Sequence, residues 1–217
     1  MLLHSRPDRL LTPDRRQVAE RFARERVVGR RGTWIGARRG DHDLNPGTAP
    51  GTTLTPAAVL VPLIERPEGL TVLLTQRTAH LHDHAGQISF PGGRIEPDDP
   101  DPEAAALREA AEEVGIEAAR VELIGRLDFY VTGTGFEVVP IVGLLEPQEA
   151  YRPDPFEVAE VFEVPLSFVV DPANHRRDKH LRNGVERHFY VLPFEQRFIW
   201  GATAGMLVNL AEVLGAS

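Results

Sequence analysis

The stretch GGRIEPDDPDPEAAALREAAEEVGI, residues 92–116, decides the fold, because it joins a glycine-rich, acidic loop to a strongly marked helix. Asp101 can cap a first helical turn. Pro102 fits the first helical position, where its missing N–H removes no hydrogen bond. Gly115 is the residue type that often follows a last helical turn. The sequence therefore predicts a helix from Pro102 to Val114.

The predicted helix has an apolar face and a group of carboxylates on opposite sides. The apolar face, which we expect to pack on a sheet, consists of Ala104, Leu107, Ala111 and Val114. Glu109, Glu112 and Glu113 lie opposite to it, and like charges at these spacings repel by about 0.2–0.5 kcal/mol per pair. Arg108 can reach Glu112, but one arginine does not balance three acids. The glutamates are therefore either a solvated surface or a site that a cation covers.

The loop before the helix favours the second alternative. Residues 90–101, FPGGRIEPDDPD, contain two glycines, three prolines and four acidic residues. Glycines allow the backbone to bend sharply and to turn a carbonyl toward a cation. Hard cations such as Mg²⁺ take oxygen ligands, and bound metal ions bridge substrate phosphates and activate water. The loop and the helix together predict metal-assisted hydrolysis of a phosphoryl or pyrophosphoryl bond.

Around this segment, strands outnumber helices and come in hairpins. Apolar runs at 57–65 and 70–77 flank a turn, and Asn183-Gly184 is a strong hairpin signal later in the chain. A closing helix is expected over 202–215. This order predicts a mixed α+β layered domain rather than a parallel doubly wound sheet.

The first part of the chain differs from the rest. Residues 12–28 predict an amphipathic helix, and residues 39–56 are turn formers that predict a long loop. We therefore expect an N-terminal helix and loop extension over residues 1–54 and a catalytic domain over residues 55–217.

The composition limits the classes of function. The 217 residues have a net charge of −8, although residues 1–40 hold eleven arginines against four acidic residues. The acidic remainder argues against a general nucleic-acid binder. Cysteine is absent, which excludes disulfides, cysteine-ligated zinc and thiol catalysis. Because the chain has no apolar run of membrane-spanning length and no secretory signal, a cytoplasmic location is expected.

Residues 92–116 resemble the Nudix box, G-x5-E-x7-R-E-U-x-E-E-x-G-U. The second half matches in register at Arg108, Glu109, Glu112, Glu113, Gly115 and Ile116. Ala110 departs from the pattern, where a larger aliphatic residue is usual, and one extra residue in the loop leads us to assign the loop acid to Asp99. The resemblance implies a Nudix α/β/α sandwich around a mixed β-sheet. It also implies hydrolysis of a nucleoside diphosphate linked to another moiety.

The extra residue and the stretch LLTQRTAHLHDHAGQISFPGG, residues 73–93, are similar to the coenzyme A pyrophosphatase branch of that family. That branch has an L-L-T-x-R strand end, a G-Q pair and F-P-G-G, and residues 157–166 and 199–204 look like its later segments. The implied reaction splits coenzyme A or a derivative into 3′,5′-ADP and 4′-phosphopantetheine. Three alternatives stay open: a Nudix hydrolase for ADP-ribose, NADH or a nucleoside triphosphate, an RNA-end pyrophosphohydrolase, and a nucleotide-binding domain without catalysis.

The resemblance also implies which residues form the site. Those expected in catalysis are Arg108, Glu109, Glu112 and Glu113. Mg²⁺ or Mn²⁺ is expected on Glu109, Glu112, Glu113 and Gly92, joined by Glu157 or Glu160. Substrate contacts are expected from Arg77, His84, Phe90, Gly92 and Gly93, with Arg77 facing a phosphate, while Phe194 and Trp200 are expected in the core. The expected partner is a small-molecule substrate, with no nucleic acid and no membrane, and a homodimer stays open.

Overall fold

The computed structural model describes residues 12–28, 38–47, 53–80, 86–182 and 184–215. Within these ranges the α-helices are α1 (Arg15–Val28), α2 (Pro102–Val114), α3 (Leu166–Val169) and α4 (Gly201–Val213). The β-strands are β1 (Arg38–Gly40), β2 (Thr55–Arg66), β3 (Gly69–Arg77), β4 (Ile88–Ser89), β5 (Gly92–Arg94), β6 (Val121–Arg126), β7 (Phe129–Val131), β8 (Phe136–Leu145), β9 (Val158–Pro165), β10 (Arg176–Arg182), β11 (Val185–Phe194) and β12 (Arg197–Trp200). None of these helices has the length and apolarity that crossing a membrane requires.

Nine of the described strands form one large mixed sheet. Its central order is β1-β7-β8-β2-β3-β4, with β5 beside β2, β6 beside β8 and β9 beside β3. β2 runs parallel to β8 and β1 runs parallel to β7, whereas β2 and β3 form the antiparallel hairpin that the sequence predicts. A second, antiparallel sheet consists of β10, β11 and β12. We call it the small sheet.

Helices cover both faces of the large sheet. Alternate residues of β2 point to opposite faces, which separates two hydrophobic clusters. On one face α2 contributes Ala106 and Ala110, which lie in a cluster with Ala58 of β2. The other cluster includes Phe22 of α1 and Leu207 of α4. The α/β/α sandwich around a mixed sheet that the sequence predicts is therefore confirmed.

The predicted apolar face of α2 is wrong in part. The residues that α2 buries are Ala105, Ala106, Ala110, Glu113 and Val114. Of the predicted face, Ala111 is exposed and Leu107 is only partly buried, at the edge of the cluster. Ala106 and Ala110, one turn apart, give α2 a smooth face that can approach β2 closely. The helix is thus rotated about its axis relative to the predicted orientation. Glu113, which we expected on the side away from the core, is therefore buried.

The N-terminal helix packs against the rest of the fold. The helix predicted over residues 12–28 is observed as α1, and its Val18 and Phe22 are 0% and 1% exposed. The predicted loop over residues 39–56 begins inside β1, which pairs with β7 in the large sheet. The boundary at residue 54 stays a prediction, but described residues before it contribute to the core and to the sheet.

Candidate active site

The two ends of α2 form as the sequence predicts. The Asp101 carboxylate accepts a hydrogen bond of 2.8 Å from the Ala104 N–H, which caps the first turn. Gly115 has a φ of 72°, in the left-handed region that glycine adopts readily, and its N–H donates to the Ala111 carbonyl at 3.0 Å. These caps set where α2 begins and ends relative to the loop before it.

That loop lies directly against β2, and its glycines make the close contact possible. β5 pairs with β2, which places Gly92 opposite Val59 and Gly93 opposite Ala58. A Cβ on Gly92 would lie 2.4 Å from the Ala58 carbonyl oxygen. A Cβ on Gly93 would lie 2.6 Å from Cδ of Glu109. Glycine at position 92 therefore lets the segment approach β2, and glycine at position 93 leaves room for the Glu109 carboxylate. The sequence predicts only a loop here.

Glu113 is an enclosed carboxylate at the centre of the site. Its side chain is 7% exposed, and its Oε2 accepts a hydrogen bond of 3.2 Å from the Gly92 N–H. Burial is the main reason that the pKa of Glu113 is raised to about 8. The charges of Glu109 and Glu157 act in the same direction, while the Gly92 hydrogen bond and Arg77 act in the opposite direction. At neutral pH the Glu113 carboxyl therefore favours its protonated form, and a cation closer than Arg77 would favour the ionised form.

Arg108 joins the loop to the helix. Its Nη2 lies 2.9 Å from Oδ2 of Asp99, and its Nη1 lies 2.8 Å from Oε1 of Glu109. The same guanidinium reaches Oε2 of Glu112 at 3.3 Å and the Arg94 carbonyl at 3.2 Å. Hydrogen bonding to Arg108 lowers the pKa of Asp99. The pKa of Glu109 is raised, first by burial and then by the charges of Glu112 and Glu157, although Arg108 acts in the opposite direction. Glu112 is the open member of the group, with a side chain that is 61% exposed.

Glu157 and Glu160, the two alternatives for a further carboxylate, have different surroundings. Glu157 immediately precedes β9, and its Oε2 lies 3.7 Å from Nη2 of Arg77. Its charge contributes to the raised pKa values of both Glu109 and Glu113. Glu160 instead forms an ion pair of 2.5 Å with Arg197. The geometry therefore favours Glu157.

Arg77 lies at the end of β3, between the carboxylates and a large cavity. Its Nη1 lies 3.7 Å from Oε1 of Glu113, and its Nη2 is at the same distance from Glu157. Its Nε is buried and has no hydrogen-bond partner within the described part of the chain. A buried donor without a partner is uncommon in native proteins, so the hydrogen bonding of Arg77 is incomplete in this structure.

The cavity brings together most of the residues expected to contact a substrate. Its volume is about 1130 Å³, and Arg77, Phe90, Gly92 and Gly93 line it. Phe90 is 2% exposed and belongs to the core, so that it contributes to the wall rather than projecting into the space. His84 lies outside the described residues.

A polar segment before β2 forms a wall of the cavity that we did not predict. Its lining residues include Asp41 and Asn45. Asp41 accepts a hydrogen bond of 2.8 Å from the Tyr130 hydroxyl. Asn45 donates to the His188 carbonyl at 2.9 Å and accepts from the His188 N–H at 2.8 Å, which ties the segment to β11. The signal was the run of polar residues in RGDHDLN, which turn composition alone does not distinguish from a surface loop.

The small sheet forms another wall. Phe189 and Trp200 line the cavity, and both are partly buried. We expected Trp200 in the core, and the cavity exposes it in part instead. Phe194, expected in the core as well, is partly buried and packs against the larger hydrophobic cluster.

The carboxylates fit a hard divalent cation by their chemistry. Glu109 and Glu113 both have pKa values raised by burial and by neighbouring acids, and carboxylate oxygens are the ligands that Mg²⁺ and Mn²⁺ take. Within the described ranges no three acidic or histidine side chains are already arranged around one metal position. Arg108 and Arg77 lie against these carboxylates and act as their counter-ions in this structure.

Comparison with known proteins places this site in a family. The NUDIX domain model matches residues 54–184. The uncharacterized Nudix hydrolase NudL of Escherichia coli K12 is 44% identical over 160 residues, which covers 73% of this chain and 82% of that protein. NudL of Shigella flexneri is 43% identical over 162 residues, covering 74% and 83%. Among solved structures, the MutT protein of Methanosarcina mazei Go1 matches with a TM-score of 0.43 and 24% identity, covering 56% of this chain and 84% of that one.

The family match spans β2 to the turn that follows β10, and therefore includes α2, the glycine loop and the carboxylates around Glu113. The chain belongs to the Nudix hydrolases, a family that acts on nucleoside diphosphate derivatives and generally uses divalent metal ions.

Proposed function

We propose that this chain hydrolyses the pyrophosphate bond of coenzyme A or of a derivative, with Mg²⁺ or Mn²⁺. The products are 3′,5′-ADP and 4′-phosphopantetheine, or its acylated or oxidised form. The sequence of residues 73–93, which is similar to the coenzyme A pyrophosphatase branch, is what separates this substrate from others of the family.

The observation that carries the proposal is the position of Arg77. It ends β3 within the L-L-T-x-R motif, contacts Glu113 and Glu157, and lines the cavity. The F-P-G-G part of the same motif supplies Gly92, whose N–H binds Glu113. The two halves of the motif therefore meet at one carboxylate, although about fifteen residues separate them in the sequence.

The residues that would hold the metal are Glu109, Glu112 and Glu113, with Glu157 and the backbone of Gly92 as further ligands. When bound, the metal stabilises negative charge on the pyrophosphate oxygens and provides a water of lowered pKa. Arg108 holds Glu109 against the loop through its hydrogen bonds with Asp99 and Glu109. Arg77 presents its guanidinium cation to a phosphate that enters from the cavity.

Product analysis by mass spectrometry in ¹⁸O-labelled water tests the proposal. Coenzyme A and Mg²⁺ should yield 3′,5′-ADP and 4′-phosphopantetheine, with the label on one of them, which identifies the phosphorus that water attacks. ADP-ribose, NADH, nucleoside triphosphates and a 5′-triphosphate RNA are assayed in parallel. Faster turnover of any of these than of coenzyme A would contradict the proposed substrate, and binding without turnover would identify a nucleotide-binding domain that does not catalyse.

A further inference from the structure

One face of the small sheet lines the cavity with aromatic and cationic side chains. In the register of β10 and β11, His180 lies opposite Arg187, and Arg187 and Phe189 are two residues apart on the same face of β11. Trp200 of β12 lies opposite Val191, the next residue on that face. Each of the four, His180, Arg187, Phe189 and Trp200, lines the cavity.

The aromatic rings of this wall form a row. The ring centroids of His180 and Phe189 are 5.3 Å apart, and those of Phe189 and Trp200 are also 5.3 Å apart. Phe189 and Trp200 are only partly buried, unlike their strand neighbours Val191 and Ile199, which are 3% and 0% exposed. Rings that a cavity leaves accessible can stack on a planar base, and such stacking contributes about 1–3 kcal/mol per base.

Arg187 adds a cation to the row. None of the described carboxylates pairs with Arg187, whereas the nearby acid Glu186 is occupied by Lys179 and His188. A guanidinium matches the geometry of a phosphate and binds it through two parallel hydrogen bonds. Arg187 and Arg77 line the same cavity, but Arg77 is held between Glu113 and Glu157 at the hydrolytic site.

We propose that the small-sheet wall is the subsite for a 3′-phosphorylated adenosine, in which Phe189 stacks on the base and Arg187 binds the 3′-phosphate. This inference rests on the proposed function for the identity of the ligand. Arg77 is assigned to the pyrophosphate because the carboxylates of Glu113 and Glu157 lie beside it. Arg187 is assigned to the third phosphate because none of the described carboxylates pairs with it.

Binding of two nucleotides to the metal-free protein, measured by titration calorimetry, tests the subsite. The wild type should bind 3′,5′-ADP more tightly than 5′-AMP by about tenfold or more, the expected effect of a charge-assisted phosphate contact. Arg187→Gln should abolish this preference, and Arg187→Lys should recover part of it. Phe189→Leu should weaken both nucleotides by about fivefold or more and keep their ratio.

Arg177→Gln is the matched control. Arg177 lies on β10 of the same sheet but stacks on Tyr190, with its Cζ 5.5 Å from the ring centroid, and does not line the cavity. This variant should keep the wild-type preference. Thermal melts of all variants establish that the small sheet is folded.

The outcomes separate the subsite from the proposed function. If Arg187→Gln keeps the preference for 3′,5′-ADP, or if Arg177→Gln loses it to the same extent, the subsite is overturned even when coenzyme A is hydrolysed. If the wild type prefers 3′,5′-ADP through Arg187 but releases no 3′,5′-ADP from coenzyme A, the subsite is supported and the proposed reaction is wrong.

Discussion

Arg77 Nη1 lies 3.7 Å from Oε1 of Glu113, a carboxylate whose side chain is 7% exposed. The two residues come from β3 and α2, which residues 78–101 separate in the sequence. At this distance the guanidinium makes no close hydrogen bond to Glu113. Arg77 therefore offsets only part of the cost of burying the charge, in agreement with a pKa of about 8 for Glu113.

The metal-free protein should lose stability as the pH rises through the range between the unfolded and folded pKa values of Glu113. The unfolded value is 4.5 and the folded value is about 8, so that the contribution of the protonated carboxyl is fully present below the first and is lost as the pH passes the second. Urea denaturation of wild type and Glu113→Gln in excess chelator, at several pH values across that range, measures the effect. If the free energy of unfolding changed with pH in the same way in both proteins, Glu113 would not be the group with the raised pKa.

Removal of single carboxylates should strongly lower turnover without unfolding the protein. Glu109→Gln and Glu113→Gln should each lower kcat by about 100-fold or more, because each change would remove one proposed ligand of an ion that stabilises charge in the transition state. Glu68→Gln is the control for loss of one charge, because Glu68 is an exposed acid in the turn between β2 and β3.

Chelation of the wild type should stop activity, and Mg²⁺ or Mn²⁺ should restore it. Full turnover in excess chelator would exclude the metal site.

Asp99 should act through Arg108 rather than as a metal ligand. Its side chain is 8% exposed and binds Arg108 at 2.9 Å. Asp99→Asn should lower the Tm and leave the Mg²⁺ concentration for half-maximal activity unchanged, whereas Glu109→Gln should raise that concentration. A large increase for Asp99→Asn, with the Tm unchanged, would instead identify Asp99 as a ligand.

A pair of alanine substitutions tests the orientation of α2. Ala110 is 0% exposed in the contact with β2, while the adjacent Ala111 faces solvent. Ala110→Leu should lower the free energy of unfolding by about 1–3 kcal/mol, because the core has no space for three more carbon atoms. Ala111→Leu should change it by less than about 0.5 kcal/mol. The reverse ranking in chemical denaturation would restore the face that the sequence predicts.

Local signals explain which parts of the fold could be predicted. The bounds of α2 follow from Asp101, Pro102 and Gly115, because a cap, a first-turn proline and a left-handed glycine each act within a few residues. The hairpin of β2 and β3 follows from two apolar runs around a short turn. The glutamates of α2 could be identified from the family resemblance because they belong to one short, continuous motif.

The parts that failed depend on contacts between distant segments. Five residues of α2 are alanines and they lie on several sides of the helix, so the periodicity of apolar residues gave only a weak preference between neighbouring faces. The close approach of α2 to β2 decided which face is buried. β1 pairs in parallel with β7 across about 90 residues, which no local pattern indicates. The walls of the cavity formed by Asn45 and by Arg187 likewise exist only after the small sheet has packed beside the large one.

Phe22→Ala tests whether the N-terminal helix belongs to the catalytic domain. Phe22 is 1% exposed, and a Cβ on Gly125 of β6 would lie 2.7 Å from its ring, so that α1 and the large sheet are in direct contact. Truncating a buried phenylalanine costs about 3–5 kcal/mol. Removal of the Phe22 ring would leave a void in the core of the sandwich. The whole domain should therefore unfold in one transition, at a lower denaturant concentration.

Phe156→Ala is the matched control, since Phe156 is 65% exposed and its loss should leave the midpoint close to that of the wild type. Activity per folded molecule should be unchanged in Phe22→Ala, because α1 contributes no residue to the carboxylate site. If residues 1–54 were instead an independent extension, Phe22→Ala would leave the unfolding midpoint of the domain unaltered. Denaturation of the full chain carrying Trp34→Phe, so that Trp200 is the one remaining tryptophan, is followed by fluorescence and by loss of turnover. The two signals distinguish the two arrangements, because only an integrated α1 makes both of them shift together.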